Sequence, residues 1–481
     1  MSGARIVTFY SFKGGVGRTM ALANLAVLLA SRGLRVLAMD FDLEAPGLGR
    51  YLLADKTRLL TPTASMTTPG VVELFAELQA GFDAHFADDD RYAADPAFTL
   101  ATMRAIIHET LDRRAHLCTV TASTPAAKER FALDYMPAGQ LDATYNARRE
   151  ALDWRRFHLR YAEAFPLLAE ALRARWDVVL IDSRTGLSDT ASVCTALLPD
   201  TLVVVCVPNL QSLDGAVDVA RQAAALRVAH VTGPDAALLQ GVDVSAYGTG
   251  LRVLPLVSRV ENAEYERKRT WMARIHHDFA QLASARGVLL PAELDRYLME
   301  VRVPYVTHYA YGEELAVERE SIAEADGLAR VFALLAQHLE AGTWEAAGLP
   351  PRVVDASTDV LALVSIGAPS IEASVRASAK DLGLEGVPIA LNYSVAGFVP
   401  PEEDHWLRHA RVLRGLVQPL LDRPALRRIH LFYRGPVVMA PLLGALIASA
   451  RVLEIYYYEG GRYLHAFPLD RRFVHETETT G

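Results

Sequence analysis

The sequence predicts an α/β protein, in which a doubly wound parallel sheet is followed by a smaller Rossmann-like α/β domain. Three observations lead to this prediction. Short apolar runs typical of buried strands alternate with segments of helical length. A glycine-rich loop directly follows the first of these runs. The hydrophobic pattern then restarts after a proline-marked break at 348–352.

The composition is that of an ordinary globular protein. The 481 residues are 51% hydrophobic and 22% charged, and the length allows two or three domains. The net charge of −8 gives no sign of a nucleic-acid coat or a polybasic membrane tether, so we expect no DNA binding. Three cysteines without close spacing argue against a disulfide framework and against a cysteine-rich metal site.

Two features predict a cytoplasmic protein. The N-terminus enters a strand without the charged lead and apolar core of a signal peptide. The longest apolar stretch without charge lies between Arg434 and Arg451, and it is too short to span a membrane.

The first 42 residues predict one right-handed βαβ unit. Its parts are a strand over Arg5–Tyr10, a glycine-rich loop, a helix over Thr19–Ser31 and a strand over Arg35–Met39. Because glycine tolerates positive φ angles, the backbone N–H groups of 14–17 can converge on phosphate oxygens. The N-terminal end of the helix dipole adds positive potential at the same place, and the Thr19 hydroxyl is placed to bind Mg²⁺. The unit therefore predicts a nucleotide site.

The loop, FYSFKGGVGRT, departs twice from the standard phosphate-binding pattern Gly-x₄-Gly-Lys-Ser/Thr. Counting back from Thr19, Phe12 stands at the first glycine position and Arg18 at the lysine position, while Lys13 lies earlier in the loop. A guanidinium suits phosphate oxygens but is bulkier than an ammonium group. We therefore expect Arg18 to preserve ATP binding and to slow hydrolysis, with a non-hydrolysing protein as the alternative.

Later strands extend the predicted sheet. The run WDVVLI, 176–181, delivers Asp182 beside the expected metal, as a second Mg²⁺ position requires. Strands over Thr201–Val207 and Arg252–Val257 are followed by polar loops. The segment 55–150 is the least informative, although Leu133–Gly139 predicts one more strand. An aromatic stripe from Trp154 at helical spacing predicts core, with a partner-binding face as the minor alternative.

KGGVGRT resembles the deviant phosphate loop of the ParA/MinD-type (SIMIBI) P-loop ATPases, whose pattern is K-G-G-x-G-K-[ST]. The longer phrase FYSFKGGVGRTMALAN resembles a bacterial sub-branch in which Phe12 and Arg18 are the usual residues. The resemblance extends to about residue 345 and implies ATP and Mg²⁺ as cofactors. It also implies an ATP-dependent homodimer, in which Lys13 reaches the phosphates of the partner subunit.

The same resemblance implies roles for individual residues. Lys13, Arg18 and Asp42 would be catalytic, with Asp42 positioning the attacking water. Asn209 and Arg259 would lie near the base. The full set expected to bind the nucleotide is Gly14, Gly15, Val16, Gly17, Arg18, Thr19, Met20, Asn209 and Arg259. The set expected to bind Mg²⁺, partly through water, is Thr19, Asp40 and Asp182.

The C-terminal stretch IHLFYRGPVVMAPLLGALIASARVLEIYYYEGG resembles the SAVED domain of bacterial anti-phage systems, built from CARF-like units that sense cyclic oligonucleotides. We expect a second ligand site at Arg434, Gly435 and Pro436, where charge and a helix N-terminus would meet an anion. The region is long enough for one CARF-like half only. Either a dimer completes the pocket, or the domain is an interaction remnant that binds no nucleotide.

These observations predict an ATPase domain over 1–345, a linker over 346–357, a SAVED/CARF-like domain over 358–475 and a polar tail over 476–481. The leading hypothesis is a slowly hydrolysing ATPase coupled to a SAVED-like sensor or adaptor in prokaryotic anti-phage signalling, with any effector on a separate chain. One alternative is a ParA/MinD-like positioning or partitioning ATPase, weakened by a polar C-terminus unlike the amphipathic membrane helix of MinD relatives. The other is a non-hydrolysing scaffold.

Overall fold

A computed structural model gives the structure of the chain. It describes residues 4–53, 67–86, 96–127, 129–185, 193–232, 250–261, 265–322, 327–341, 359–366, 370–395, 426–436, 452–459 and 462–470, with isolated helical positions at 409, 413, 417, 420, 421 and 443. The chain divides into two compact units, the first within 1–348 and the second formed mainly by 349–481. The predicted linker and the predicted tail lie outside the described residues.

The first unit is built on a mostly parallel sheet. In the described residues, its strands are β1 (Arg5–Tyr10), β2 (Val36–Phe41), β3 (Cys118–Ala122), β4 (Phe131–Met136), β5 (Val178–Ser183), β6 (Thr201–Cys206), β7 (Leu251–Val260), β8 (Val288–Leu289) and β9 (Arg302–Pro304). The order is β3-β4-β2-β5-β1-β6-β7-β8, and β9 also pairs with β7. Only the β3–β4 pair among these is antiparallel.

Helices cover this sheet. In chain order they are α1 (Arg18–Ser31), α2 (Leu48–Leu52), α3 (Val71–His85), α4 (Pro96–Asp112), α5 (Tyr145–Ala151), α6 (Trp154–Arg160), α7 (Ala164–Arg175), α8 (Leu210–Thr232), α9 (Tyr265–Leu282), α10 (Leu294–Glu300), α11 (Ala316–Arg319) and α12 (Leu328–Ala341). In the described part of the chain, no helix is long and apolar enough to cross a membrane. The predicted aromatic stripe falls on α6 and α7, and Phe157, Tyr161 and Phe165 are buried core residues.

The strands next to the glycine-rich loop follow the sequence prediction closely, and β7 departs from it. β1 has the predicted bounds. β5 extends beyond Ile181 and so includes Asp182. β7 continues to Val260, so that Arg259, predicted in a loop, lies within the strand. The cause is β9, which pairs with the end of β7 across an irregularity between Val257 and Val260.

The second unit contains its own sheet. Its described strands are β10 (Asp359–Ile366), β11 (Ile389–Val395), β12 (Arg428–Arg434), β13 (Val452–Glu459) and β14 (Arg462–Asp470), with α13 (Glu372–Ala379) between β10 and β11. The order is β11-β10-β12-β13-β14, and only the β13–β14 pair in this sheet is antiparallel. The predicted fold class, a parallel α/β domain followed by a second α/β region, is confirmed.

The topology of this second sheet reverses direction beside β10. The chain passes from β10 to β11 on one side, and β12 then pairs with the other side of β10. The carboxyl ends of β10 and β12 therefore form a switch point, where open α/β sheets commonly bind ligands. Most of 402–421 lies outside the described residues, but Leu413, Val417 and Leu420 are described there as helical and buried.

Candidate functional site

The glycine-rich loop has the backbone conformation that its sequence requires. Gly15 and Gly17 have φ angles of 72° and 87°, in the left-handed region that glycine adopts without strain. α1 begins at Arg18, directly after Gly17. The first N–H groups of a helix have no acceptor within the helix. The loop and the start of α1 therefore offer backbone donors to an anion.

Phe12 packs against the backbone of α8. A Cβ atom built on Gly215, in the second turn of α8, would lie 2.1 Å from Cγ of Phe12. Only glycine therefore allows this approach. Phe12, which stands at the first glycine position of the standard pattern, therefore packs the loop against α8. This contact explains why the position holds a large aromatic side chain.

Arg18 bridges two carboxylates. Its Nε donates to Oδ1 of Asp182 at 2.6 Å, and its Nη2 donates to Oδ2 of Asp42 at 2.8 Å. The side chain is only 6% exposed. Burial disfavours the charged guanidinium, but Asp182 and then Asp42 outweigh burial and raise the pKa of Arg18. Among the described residues, the buried Nη1 has no hydrogen-bond partner.

Thr19 and Asp182 form a pair that fits Mg²⁺. The Thr19 hydroxyl donates to Oδ2 of Asp182 at 2.7 Å, so that the two oxygens lie side by side. Burial raises the pKa of Asp182, and Arg18 opposes that rise. Across the residues that the structure describes, no group of three or more His, Cys, Asp or Glu side chains is arranged to hold a metal. Mg²⁺ held here would complete its shell with water and phosphate oxygens, as it usually does at phosphate sites.

Asp40 organises the backbone after β2. Its Oδ1 accepts the N–H of Asp42 at 3.2 Å, and its Oδ2 accepts the N–H groups of Gly47 and Leu48, each at 3.1 Å. The side chain is fully buried. Burial raises the pKa of Asp40 well above its usual value, and Asp182 adds to the rise. These contacts assign Asp40 to the support of a loop, with three backbone donors on its two oxygens.

A cavity of about 740 Å³ lies over the glycine-rich loop. Its lining includes most of the predicted nucleotide-binding residues, namely Gly14, Gly15, Val16, Gly17, Arg18, Thr19, Met20 and Arg259, together with Asp42. Arg259 has a positive φ of 53°, which is uncommon for a residue with a side chain. Arg50 and Arg184 add positive charge, and Arg184 pairs with Glu44 at 2.8 Å. The cavity thus combines backbone donors with arginine side chains, as a polyphosphate requires.

Four predicted site residues do not line this cavity. Asp40 and Asp182 lie buried beneath it. The side chain of Asn209 accepts the N–H of Ser212 at 2.9 Å and so caps the start of α8. Lys13 is partly exposed outside the lining, and its carbonyl accepts the Ser11 hydroxyl at 2.9 Å.

Several lining residues are not among the site residues predicted from the sequence. They are Arg50, Tyr51, Arg184, Tyr305, Tyr309 and Glu313. No motif marks most of them, because they come from segments that only the fold brings together. Arg184 is the exception, since it directly follows the β5 strand that carries Asp182.

The second predicted site lies at the switch point of the second sheet. Arg434 ends β12, and its guanidinium lies 5.7 Å from the ring centroid of Tyr458. A Cβ atom on Gly435 would lie 2.7 Å from the Tyr433 hydroxyl and 3.1 Å from the carbonyl oxygen of Ile366, so both groups approach this glycine closely. Tyr456 stacks on Phe432 with centroids 4.4 Å apart and belongs to the core. Arg434 and the half-exposed Tyr458 are therefore the groups best placed for a ligand.

The comparisons with known proteins concern the first unit. The family model for the CobQ/CobB/MinD/ParA nucleotide-binding domain matches residues 7–340. The septum site-determining protein MinD of Helicobacter pylori is 24% identical over 210 residues, which cover 44% of this chain and 55% of that protein. The match therefore spans about half the length of that relative.

Two solved structures align with most of their own length. A pNOB8 ParA bound to nonspecific DNA is 15% identical, with a TM-score of 0.39, over 70% of this chain and 97% of that chain. The septum site-determining protein MinD from Pyrococcus horikoshii, complexed with Mg-ADP, is 16% identical, with a TM-score of 0.34, over 72% of this chain and 100% of that chain. The family match covers more than half of the chain and contains the loop, the Thr19–Asp182 pair and the cavity. The chain belongs to the CobQ/CobB/MinD/ParA family of nucleotide-binding domains.

Proposed function

We propose that the first unit is a Mg²⁺-dependent ATPase with slow turnover, in which ATP controls dimerisation. One observation carries the proposal: the Thr19–Asp182 pair lies beside a glycine-rich loop whose cavity is bordered by Asp42 and by the charged Arg18. Bound Mg²⁺ would neutralise phosphate charge as it develops in phosphoryl transfer.

The residues of the site divide the work between binding and hydrolysis. The N–H groups of the loop and Nη1 of Arg18 are donors for phosphate oxygens. Asp42 reaches the cavity with a side chain 14% exposed, so a carboxylate is available to orient a water molecule. Arg18 already holds both Asp42 and Asp182, so its guanidinium must serve phosphate and carboxylates together. That shared demand supports slow hydrolysis.

The position of Lys13 supports the dimer. Because its side chain does not line the cavity of its own subunit, it is available to the nucleotide of a second copy. We expect wild-type protein to dimerise with ATP and Mg²⁺, and Lys13→Ala to bind ATP while remaining monomeric. Light scattering with and without ATP measures the change, and Lys380→Ala, in the second unit, is the control. If Lys13→Ala dimerises at the same ATP concentrations as the wild type, this role of Lys13 is contradicted.

A second candidate function concerns the second unit. We propose that it is a SAVED-like sensor or adaptor, with Arg434 and Tyr458 binding a cyclic oligonucleotide and a separate effector chain answering to it in anti-phage signalling. The support is the position of Arg434 at a topological switch point, beside an exposed aromatic ring.

A thermal-shift panel of cyclic oligonucleotides tests this candidate. A stabilising ligand should raise the melting temperature of the wild-type chain and should not raise that of Arg434→Ala. Arg376→Ala, whose side chain pairs with Glu372 on α13, is the control. If no cyclic oligonucleotide raises the melting temperature of the wild-type chain, the sensor role is wrong. The adaptor role, which requires no nucleotide in this domain, then remains.

The family also supports a positioning or partitioning ATPase. One aligned relative is a ParA bound to nonspecific DNA. This alternative includes DNA binding, although the net charge argues against it. A shift of the ATP-bound wild-type chain on DNA in an electrophoretic assay would favour it over the signalling role.

A further inference from the structure

Tyr145, in the segment that the sequence left without a role, holds the backbone beside Asp42. Its hydroxyl donates to the carbonyl oxygen of Leu43 at 2.8 Å, in a buried hydrogen bond across 102 residues of sequence. Leu43 directly follows Asp42. Glu44 comes next and pairs with Arg184 at the cavity. A single tyrosine on α5 therefore bonds the start of the loop that follows β2.

The α5 helix is itself held firmly. Nε of Arg148 donates to Oε1 of Glu73 at 2.9 Å, and Nη2 donates to the carbonyl oxygen of Gln140 at 2.5 Å. Oε2 of Glu73 accepts the N–H of Gly70 at 2.8 Å, at the start of α3. These bonds join α3, the loop after β4 and α5 into one support for Tyr145.

The tyrosine ring has little freedom to turn away from this bond. It is 7% exposed, and it lies in the same core cluster as Phe41 and Leu43. A Cβ atom on Gly139 would lie only 3.0 Å from its Cε2. Burial raises the pKa of the Tyr145 hydroxyl, which therefore stays protonated and acts as a donor at neutral pH.

The loop after β2, which we call the Asp42 loop (residues 42–48), is thus anchored from two directions. Asp40 accepts N–H groups at 42, 47 and 48 from below, and Tyr145 holds the carbonyl oxygen of Leu43 from the side. A reacting group displaced by about 1 Å can lose two orders of magnitude in rate. The anchors therefore matter most to Asp42, the cavity-lining residue of this loop to which the proposed function gives a part in hydrolysis.

We propose that Tyr145 is a positioning residue for Asp42, and that α3, the loop after β4 and α5 serve the ATPase by carrying this anchor. The inference rests on the proposed function, because it assumes that Asp42 acts in hydrolysis. It does not require Tyr145 to touch the nucleotide.

The test compares Tyr145→Phe with Tyr161→Phe. Tyr161 is also buried in the same core, and its hydroxyl bonds to Asp83 away from the cavity. We expect Tyr145→Phe to lower kcat by up to about 100-fold while the KM for ATP stays unchanged. Tyr161→Phe should leave both constants at their wild-type values. Equal kcat values for the two variants would overturn the proposal.

A second readout does not depend on turnover. In nucleotide-free protein, backbone amide hydrogen exchange in 42–48 should be faster in Tyr145→Phe than in wild type, and unchanged in Tyr161→Phe. Unchanged exchange in Tyr145→Phe would also overturn the anchor. If the wild-type protein hydrolyses no ATP, the proposed function fails, and the exchange rates alone decide for or against the anchor.

Discussion

Arg18→Ala should destabilise the nucleotide-free protein by about 3–5 kcal/mol, the usual loss when one partner of a buried ion pair is removed. The reason is that Asp182 would be left buried without its cation and Asp42 would lose its only ion-pair partner among the described residues. Urea denaturation followed by tryptophan fluorescence measures the loss. ATP affinity should fall as well, because the proposed function uses the unpartnered Nη1 as a donor to phosphate.

Two further variants isolate the cause of that loss. Arg18→Lys keeps the charge but cannot reach both carboxylates with one rigid fork, so its stability should lie between the wild type and Arg18→Ala. The double variant Arg18→Ala/Asp182→Asn should recover part of the loss, because the unpaired carboxylate is gone. A stability of Arg18→Ala equal to the wild type, with ATP binding and turnover preserved, would rule out the role assigned to this guanidinium.

Asp42→Asn should lower kcat for ATP hydrolysis by about 10²–10⁴-fold, the range typical of a lost acid–base or water-positioning group. ATP affinity should be preserved, because the glycine-rich loop and the Thr19–Asp182 pair remain in place. An asparagine oxygen can still accept the hydrogen bond from Arg18, so the fold should be maintained.

Glu44→Gln is the matched control for this variant. Glu44 lines the same cavity two residues later and pairs with Arg184, yet no catalytic role is assigned to it. Phosphate release by the two variants should therefore differ by orders of magnitude. If Asp42→Asn hydrolyses ATP as fast as Glu44→Gln, the assignment of Asp42 is wrong.

Local sequence was sufficient to predict the loop and the strands around it. A run of β-branched and aromatic residues predicted β1, and glycines at 15 and 17 indicated the left-handed backbone that the structure has. The apolar run before Asp182 predicted a strand that delivers this carboxylate, and in the structure Asp182 accepts the Thr19 hydroxyl. The role of the two residues toward Mg²⁺ stays a prediction. These features depend on neighbours in sequence, so pattern and propensity are enough.

Side-chain partners distant in sequence could not be predicted in this way. The sequence suggested that Arg18 would serve phosphate, and the structure shows it on Asp182, 164 residues away. The Tyr145 bond to Leu43 had no sequence signal, because a lone tyrosine near arginines is typical of many helix surfaces. The prediction that Arg259 lies in a loop was wrong because β7 is extended by its pairing with β9. Such a contact between distant segments cannot be predicted from the local sequence.

The most direct test of the central claim, that the cavity is a Mg-ATP site, is calorimetric titration of ATP into the wild-type chain with Mg²⁺ and with EDTA, repeated with Thr19→Ala. We predict that Mg²⁺ tightens ATP binding by at least about tenfold, or about 1.4 kcal/mol, in the wild type, and that Thr19→Ala loses most of this gain. No ATP binding by the wild type, or an equal Mg²⁺ effect in both proteins, would contradict the account.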